Sequence, residues 1–224
     1  RTATTAPTMA PRLDGRTADA IRPLTFQRHW LDTVTGSVVV HSGLTRILCT
    51  AIVEQGVPPF LQGSDEGWVT AEYAMLPGST GSRRQRERNR PDGRSIEIQR
   101  LIGRALRAIV DRRALAGRTV WIDCDVLQAD GGTRTAAING AYVALHDVLA
   151  DLKERGELKK WPLTDSIQAI SVGVVDDEPR VDLTYYEDSS AQVDMNLIMT
   201  GSGKVIEVSG GAEQQAFSVT ELAG

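Results

Sequence analysis

The sequence has little of what most reactive centres are built from: two cysteines and three histidines in 224 residues. Cys49 and Cys124 each lie inside an apolar run that reads as a strand, so they are expected as buried free thiols, not a disulfide or a redox pair. His29, His41 and His146 are scattered. None stands at zinc-like spacing from a cysteine, and none has a serine or cysteine partner in a triad motif, so zinc sites and nucleophilic acyl transfer lose support. No apolar run approaches the roughly 18 residues of a membrane helix. No repeat with a period of about 20–50 residues is visible. Positive charge is not in surplus either, the net being −4. A chain of this balance reads as soluble and cytoplasmic, and it must hold any nucleic acid through a local basic patch.

What is present is an ordinary globular mixture, 41% hydrophobic and 24% charged. That suffices for a core in one domain, or in two small halves sharing a sheet. Residues 1–11, rich in Thr, Ala and Pro, read as a flexible tail before a single domain over 12–224. Ser37–Val40 and Thr45–Val53 predict a hairpin about Ser42-Gly43, and Trp68–Leu76 a further strand. Ile98, Leu101, Ile102, Ala105, Leu106, Ile109 and Val110 form one helical stripe, with Ser95 as its expected N-cap. Thr119–Leu127 reads as a strand, after which Asp130-Gly131-Gly132-Thr133 turns into a second long helix. That helix carries Ile138, Ala141, Tyr142, Leu145, Val148 and Leu149 on one face. Ile167–Val175 and Arg180–Tyr186 read as strands, and Gln192–Met199 with Lys204–Val208 as a hairpin. Ser218-Val219-Thr220-Glu221 is a capping box, so a C-terminal helix is expected to begin there and be cut short. The order implies an α+β fold with helices packed on sheet.

Three segments could carry chemistry. In Asp130-Gly131-Gly132-Thr133-Arg134, two glycines expose backbone amides at a helix N-terminus, Thr133 adds a hydroxyl, and Arg134 adds a planar fork suited to phosphate. An ordinary βα turn with a surface arginine would look the same. Asp182, Thr184, Tyr186 and Asp188 alternate onto one face, and two carboxylates there suggest a magnesium site. Six strand residues span about 20 Å, however, so chelation needs a bulge or bend between Tyr186 and Ser190; otherwise the acids line a solvated strand. Finally, Arg83, Arg84, Arg86, Arg88 and Arg90 fall within an eight-residue stretch without an apolar residue. This polycationic loop either holds the phosphates of a single-stranded nucleic acid or is simply solvated. Gly201-Ser202-Gly203-Lys204 fails as a P-loop, because Val205 follows the lysine.

Taken together the chain resembles ribonuclease PH. The matching stretches include Asp14-Gly15-Arg16, Ile21-Arg22-Pro23, Gly67–Tyr73, Glu97–Arg104, Ile122–Thr135, Glu187–Ala191 and Val193–Asn196. The likeness runs from about Asp14 to Leu222. It implies a ribonuclease PH-like fold and a phosphorolytic 3′→5′ exoribonuclease that trims tRNA precursors, releases nucleoside diphosphates and can run in reverse. By this resemblance inorganic phosphate is the co-substrate, bound by Arg94, Gly132, Thr133 and Arg134. Asp182 and Asp188 are the acids needed for activity and for Mg2+ or Mn2+. Arg83, Arg84, Arg86 and Arg88 are expected to guide RNA, and the assembly is a homo-hexamer built as a trimer of dimers. The alternative is a catalytically silent RNA-binding ring subunit, which should have lost one of Arg94, Arg134, Asp182 or Asp188; all four are retained. The chain departs from the family pattern at Gly78, where an arginine usually follows Leu-Pro, and at Gln62 and Glu66.

Overall fold

The computed structural model describes residues 12–86, 92–212 and 216. The sequence expectations for residues 1–11, for Arg88 and Arg90, and for the capping box at Ser218 lie outside these.

The first sheet is built from β1 (Leu24–Arg28), β2 (Gly36–Ser42), β3 (Thr45–Gln55), β4 (Trp68–Met75) and β5 (Arg118–Gln128), in spatial order β1-β2-β3-β5-β4. β2 and β3 form the expected hairpin, closed where Ser42 faces Thr45. β4 and β5 run parallel, which requires a crossover. The helix α1 (Gly93–Arg107) supplies it. Its apolar stripe is fully buried at Ile98, Ile102, Ala105 and Leu106, and each large side chain so removed from water contributes about 1.5–3 kcal/mol. The N-cap is Asp92, not Ser95: the Asp92 carboxylate accepts from the Ser95 amide at 2.7 Å, and the serine lies one turn inside.

The long helix α2 (Thr133–Glu154) follows β5. The expected stripe is buried except for half-buried Tyr142, and Leu152 continues it, yet Ala136, Ala137, Gly140 and Ala144 beyond the stripe are buried too. The reason is position. α2 packs on β2 and β3 on one side and, on another, on β6 (Ile167–Val175) of a second sheet. Small residues permit this approach; a Cβ on Gly140 would come within 2.7 Å of Cys49 Sγ. The second sheet adds β7 (Glu178–Val181), β8 (Val193–Thr200) and β9 (Val205–Ala212), all antiparallel, in order β7-β6-β8-β9. Ile167, Ala169 and Ile198 of this sheet join the same core as the first, so α2 unites two sheets into one α+β body. Cys49 and Cys124 face each other across β3 and β5 as buried free thiols. Among the described residues no helix is long and apolar enough to cross a membrane.

One segment departs from the sequence reading. Arg180–Tyr186 is not a continuous strand. β7 ends at Val181, Asp182 adopts a left-handed backbone with φ 58°, and Tyr185–Asp188 forms a helical turn, α3. Thr184 caps it: its hydroxyl accepts from the Glu187 amide, and the Glu187 side chain accepts from the Thr184 amide. The alternation of polar residues is therefore not a strand face, and the bend lies at Asp182, not after Tyr186.

Candidate active site

The turn between β5 and α2 is held from three directions. Gly131 and Gly132 both have positive φ, 73° and 64°. A Cβ on Gly131 would lie 2.5 Å from the Leu183 carbonyl oxygen and 2.7 Å from the Tyr185 nitrogen, so only glycine lets this turn press against α3. Thr45 clamps the turn from the first sheet: its hydroxyl donates to the Gly131 carbonyl at 2.7 Å and accepts from the Asp130 amide at 2.9 Å. Beneath, the buried Tyr73 hydroxyl donates to Thr133 Oγ1 at 3.0 Å.

The N-terminus of α2 is consequently fixed and only slightly exposed, Thr133 being 7% accessible, yet among the described residues no side chain caps it. The first amides of a helix have no intrahelical acceptor. At α1 a carboxylate meets this demand; at α2 the donors and the positive end of a 22-residue helix are left for a ligand. An anion is the species that answers both.

A cleft of about 120 Å³ opens over this end. Arg84, Arg94, Gly132, Thr133 and Arg134 line it together with Ser171, Tyr185, Asp188, Asp194 and Asn196. Its lining thus joins the starts of α1 and α2 to α3 and to β6 and β8 of the second sheet. Arg94 stands exposed in the first turn of α1. Arg134 is half-buried and steadied by Glu97, 3.0 Å away. The structure therefore places Arg94, Gly132, Thr133, Arg134 and Asp188 along one cleft. Of the expected RNA-guiding arginines, Arg84 lines the cleft itself and sits 3.6 Å from Asp92, while Arg83 and Arg86 lie along the preceding loop outside its lining.

Asp182 has a different place. It is 6% exposed and is not part of the cleft wall. Its Oδ1 accepts from Arg22 Nη2 at 2.7 Å; its Oδ2 accepts from the Arg22 amide at 2.6 Å, Arg22 Nε at 3.0 Å and Arg16 Nη1 at 3.3 Å. Both oxygens accept from arginine, and Asp182 does not line the cleft beside Asp188. Oxygen donors suited to a hard cation do face the cleft on Asp188, Asp194 and Asn196. Among the described residues, no group of three or more His, Cys, Asp or Glu side chains is placed to hold a metal. A magnesium ion here would therefore lean on two carboxylates and on substrate oxygens, as this ion commonly does.

The Asp182 contact belongs to a buried ionic network under α3. Arg12, 3% exposed, donates to both oxygens of Glu187 at 2.7 Å. Arg180 donates to Glu178 at 2.9 Å and to Glu187 at 3.3 Å. Burial would raise the Glu187 carboxyl, but hydrogen bonds from Arg12 and Thr184 outweigh it and hold the group below its ordinary value. Arg22 also donates to the Asp130 carbonyl at 2.5 Å, tying α3 to the glycine turn. Sequence reasoning assigned no role to Arg12, Arg22, Thr45, Tyr73, Asp194 or Asn196. The signal for Arg22 and Asp194 was present only in the matched stretches Ile21-Arg22-Pro23 and Val193–Asn196.

Comparison with known proteins agrees with this architecture. The pattern of the 3′ exoribonuclease family, domain 1, matches residues 20–150, and that of domain 2 matches residues 165–223. The chain belongs to the 3′ exoribonuclease family. The break between the two matches runs from the last turn of α2 to just before β6, so each domain contributes one sheet and part of the cleft lining. Similar solved structures include an Archaeoglobus fulgidus exosome with RNA bound to its active site, at 22% identity and a TM-score of 0.79, covering 95% of this chain and 86% of that one. Rice (Oryza sativa) Rrp46 matches at 20% identity and 0.72, covering 95% and 89%. An archaeal exosome core matches at 20% and 0.75, covering 95% and 84%. At these identities the likeness shows a shared ribonuclease PH-like fold.

Proposed function

We propose that the protein is a phosphate-dependent 3′→5′ exoribonuclease that trims tRNA precursors and releases nucleoside diphosphates. The observation that carries this reading is the uncapped α2 N-terminus set between Arg94 and Arg134, facing a wall that bears Asp188 and Asp194. A hydrolase needs to hold only its water. A phosphorolytic enzyme must hold an anion against a second anion, and it needs donors fixed in advance for the attacking group.

In this reading inorganic phosphate sits on the amides of α2, with Thr133 and Arg134 orienting it and Arg94 offsetting its charge. One phosphate oxygen forms a bond to the phosphorus of the last phosphodiester while the bond to the 3′ oxygen breaks. The proton of hydrogenphosphate is available to that departing oxygen, so no histidine is needed among the described residues that line the cleft. The products are a nucleoside diphosphate and an RNA shorter by one residue with a free 3′ hydroxyl. The reverse reaction extends RNA from diphosphates. Asp188 and Asp194 would hold Mg2+ or Mn2+, which supplies charge neutralisation at the diphosphate being formed. Asp182 acts through Arg22 as a positioning residue.

We further propose that the protein works as a homo-hexamer, a trimer of dimers, and in the cytoplasm, where the two thiols would stay reduced. The silent-scaffold alternative is disfavoured because Arg94, Arg134 and Asp188 are retained and meet in one cleft. The direct test is product identity: a 3′-extended tRNA should yield nucleoside diphosphates with phosphate present and almost nothing without it. Equal release of monophosphates in phosphate-free buffer would refute the reading.

A further inference from the structure

Tyr185 stands at the edge of the cleft with 65% of its surface exposed. Scattered exposed aromatics are common and carry no message by themselves. This one differs in what lies beneath it. Its helical turn is closed by the Thr184–Glu187 capping box. Glu187 is gripped by Arg12 and Arg180, and the Tyr185 nitrogen packs on Gly131 where no Cβ would fit. An exposed ring is thus carried on a backbone fixed from several sides, directly beside the glycine turn at the start of α2.

Most of the rest of the cleft wall is charged, hydroxylic or amide, with Met75 and Ala129 its aliphatic residues, and Tyr185 is the one aromatic among the described residues that line it. The cleft therefore has donors for phosphate groups and a single flat apolar surface for a base. Stacking suits an enzyme that must accept any nucleotide, since every base has a π-face. A tyrosine already held in place loses little freedom when a base settles on it.

We propose that Tyr185 stacks on the base of the 3′-terminal nucleotide and so sets the position of the phosphodiester to be cut. This rests on the reading of the cleft as an RNA 3′-end site. Tyr186, 66% exposed on the same turn but outside the cleft lining, serves as the internal control.

The test compares the full chain with Tyr185→Ala, Tyr185→Phe and Tyr186→Ala, using fluorescein-labelled RNA whose 3′ end carries either a normal nucleotide or an abasic one. Binding is read by anisotropy in phosphate-free buffer, and the phosphate KM is measured separately. Tyr185→Ala should weaken binding of the normal end by about 5- to 150-fold. Tyr185→Phe and Tyr186→Ala should bind as wild type, and the phosphate KM should be unchanged. On the abasic end, wild type and Tyr185→Ala should bind alike. Equal loss on both ends, or a shift in phosphate KM alone, would overturn the proposal, as would failure of wild type to bind either RNA. If wild type prefers the normal end through Tyr185 yet releases no diphosphate, stacking stands and phosphorolysis falls.

Discussion

Arg22 binds both carboxylate oxygens of Asp182, with Nη2 2.7 Å from Oδ1 and Nε 3.0 Å from Oδ2. The same guanidinium reaches the Asp130 carbonyl at the glycine turn. One buried side chain thereby connects the acidic segment of the second domain to the glycine turn of the first. The cleft is a junction between the domains, and buried ion pairs outside its lining tie the two together.

The acids on this segment should accordingly fail in different ways. Asp182→Asn leaves Arg22 and Arg16 short of a buried counter-charge, a loss of about 3–5 kcal/mol when such a pair is broken. Denaturant unfolding should show that loss, and turnover should fall with it. Asp188→Asn and Asp194→Asn should keep near-normal stability, lower turnover sharply and raise the Mg2+ concentration needed for half-maximal rate. A normal melt for Asp182→Asn with a raised Mg2+ requirement would return that residue to the metal.

The arginine loop should act mainly on RNA capture. Each phosphate contact on a single strand contributes about 0.7 to the slope of log affinity against log salt. Replacing Arg83, Arg84, Arg86 and Arg88 with Ala should flatten that slope and raise the KM for tRNA. The rate at saturating RNA should change less. Arg84→Ala alone should account for a disproportionate share, because Arg84 lines the cleft next to Arg94. The mass of the variant in solution is measured alongside, and an unchanged slope in an intact ring would make the loop a solvated surface.

Stability should also depend on acid pH through Glu187. Its carboxyl titrates below the ordinary glutamate value in the folded protein, although burial pushes the other way. The stabilisation is complete above that ordinary value and is lost as pH falls through the folded one. Thermal melts from pH 7 downwards should therefore steepen in the acid range for wild type. Glu187→Gln should start less stable at pH 7 and show a shallower decline. Parallel pH profiles would remove Glu187 from the account.

The helices were legible because burial repeats every three to four residues: Ile98, Leu101, Ile102, Ala105 and Leu106 can face one sheet only as a helix. The turn at Gly131-Gly132 was legible because few other needs place two glycines between a strand and an apolar stripe. The segment from Asp182 to Asp188 was misread because polar residues at every second position imitate a strand. Thr184-Tyr185-Tyr186-Glu187 is a capping-box pattern of the kind recognised at Ser218, and it was the competing signal. The role of Arg22 could not be read from local pattern. Its partner is 160 residues away, and a buried arginine looks like any other arginine until the fold supplies its carboxylate.

The most direct measurement follows the attacking atom. Unlabelled 3′-extended tRNA is incubated with the protein, Mg2+ and radiolabelled inorganic phosphate, and the released nucleotides are separated. If phosphate bound at Thr133 and Arg134 is the nucleophile, label appears in the terminal phosphate of nucleoside diphosphates. It should fall at least tenfold in Arg134→Ala. Unlabelled monophosphates as the product, at a rate indifferent to phosphate, would contradict the account.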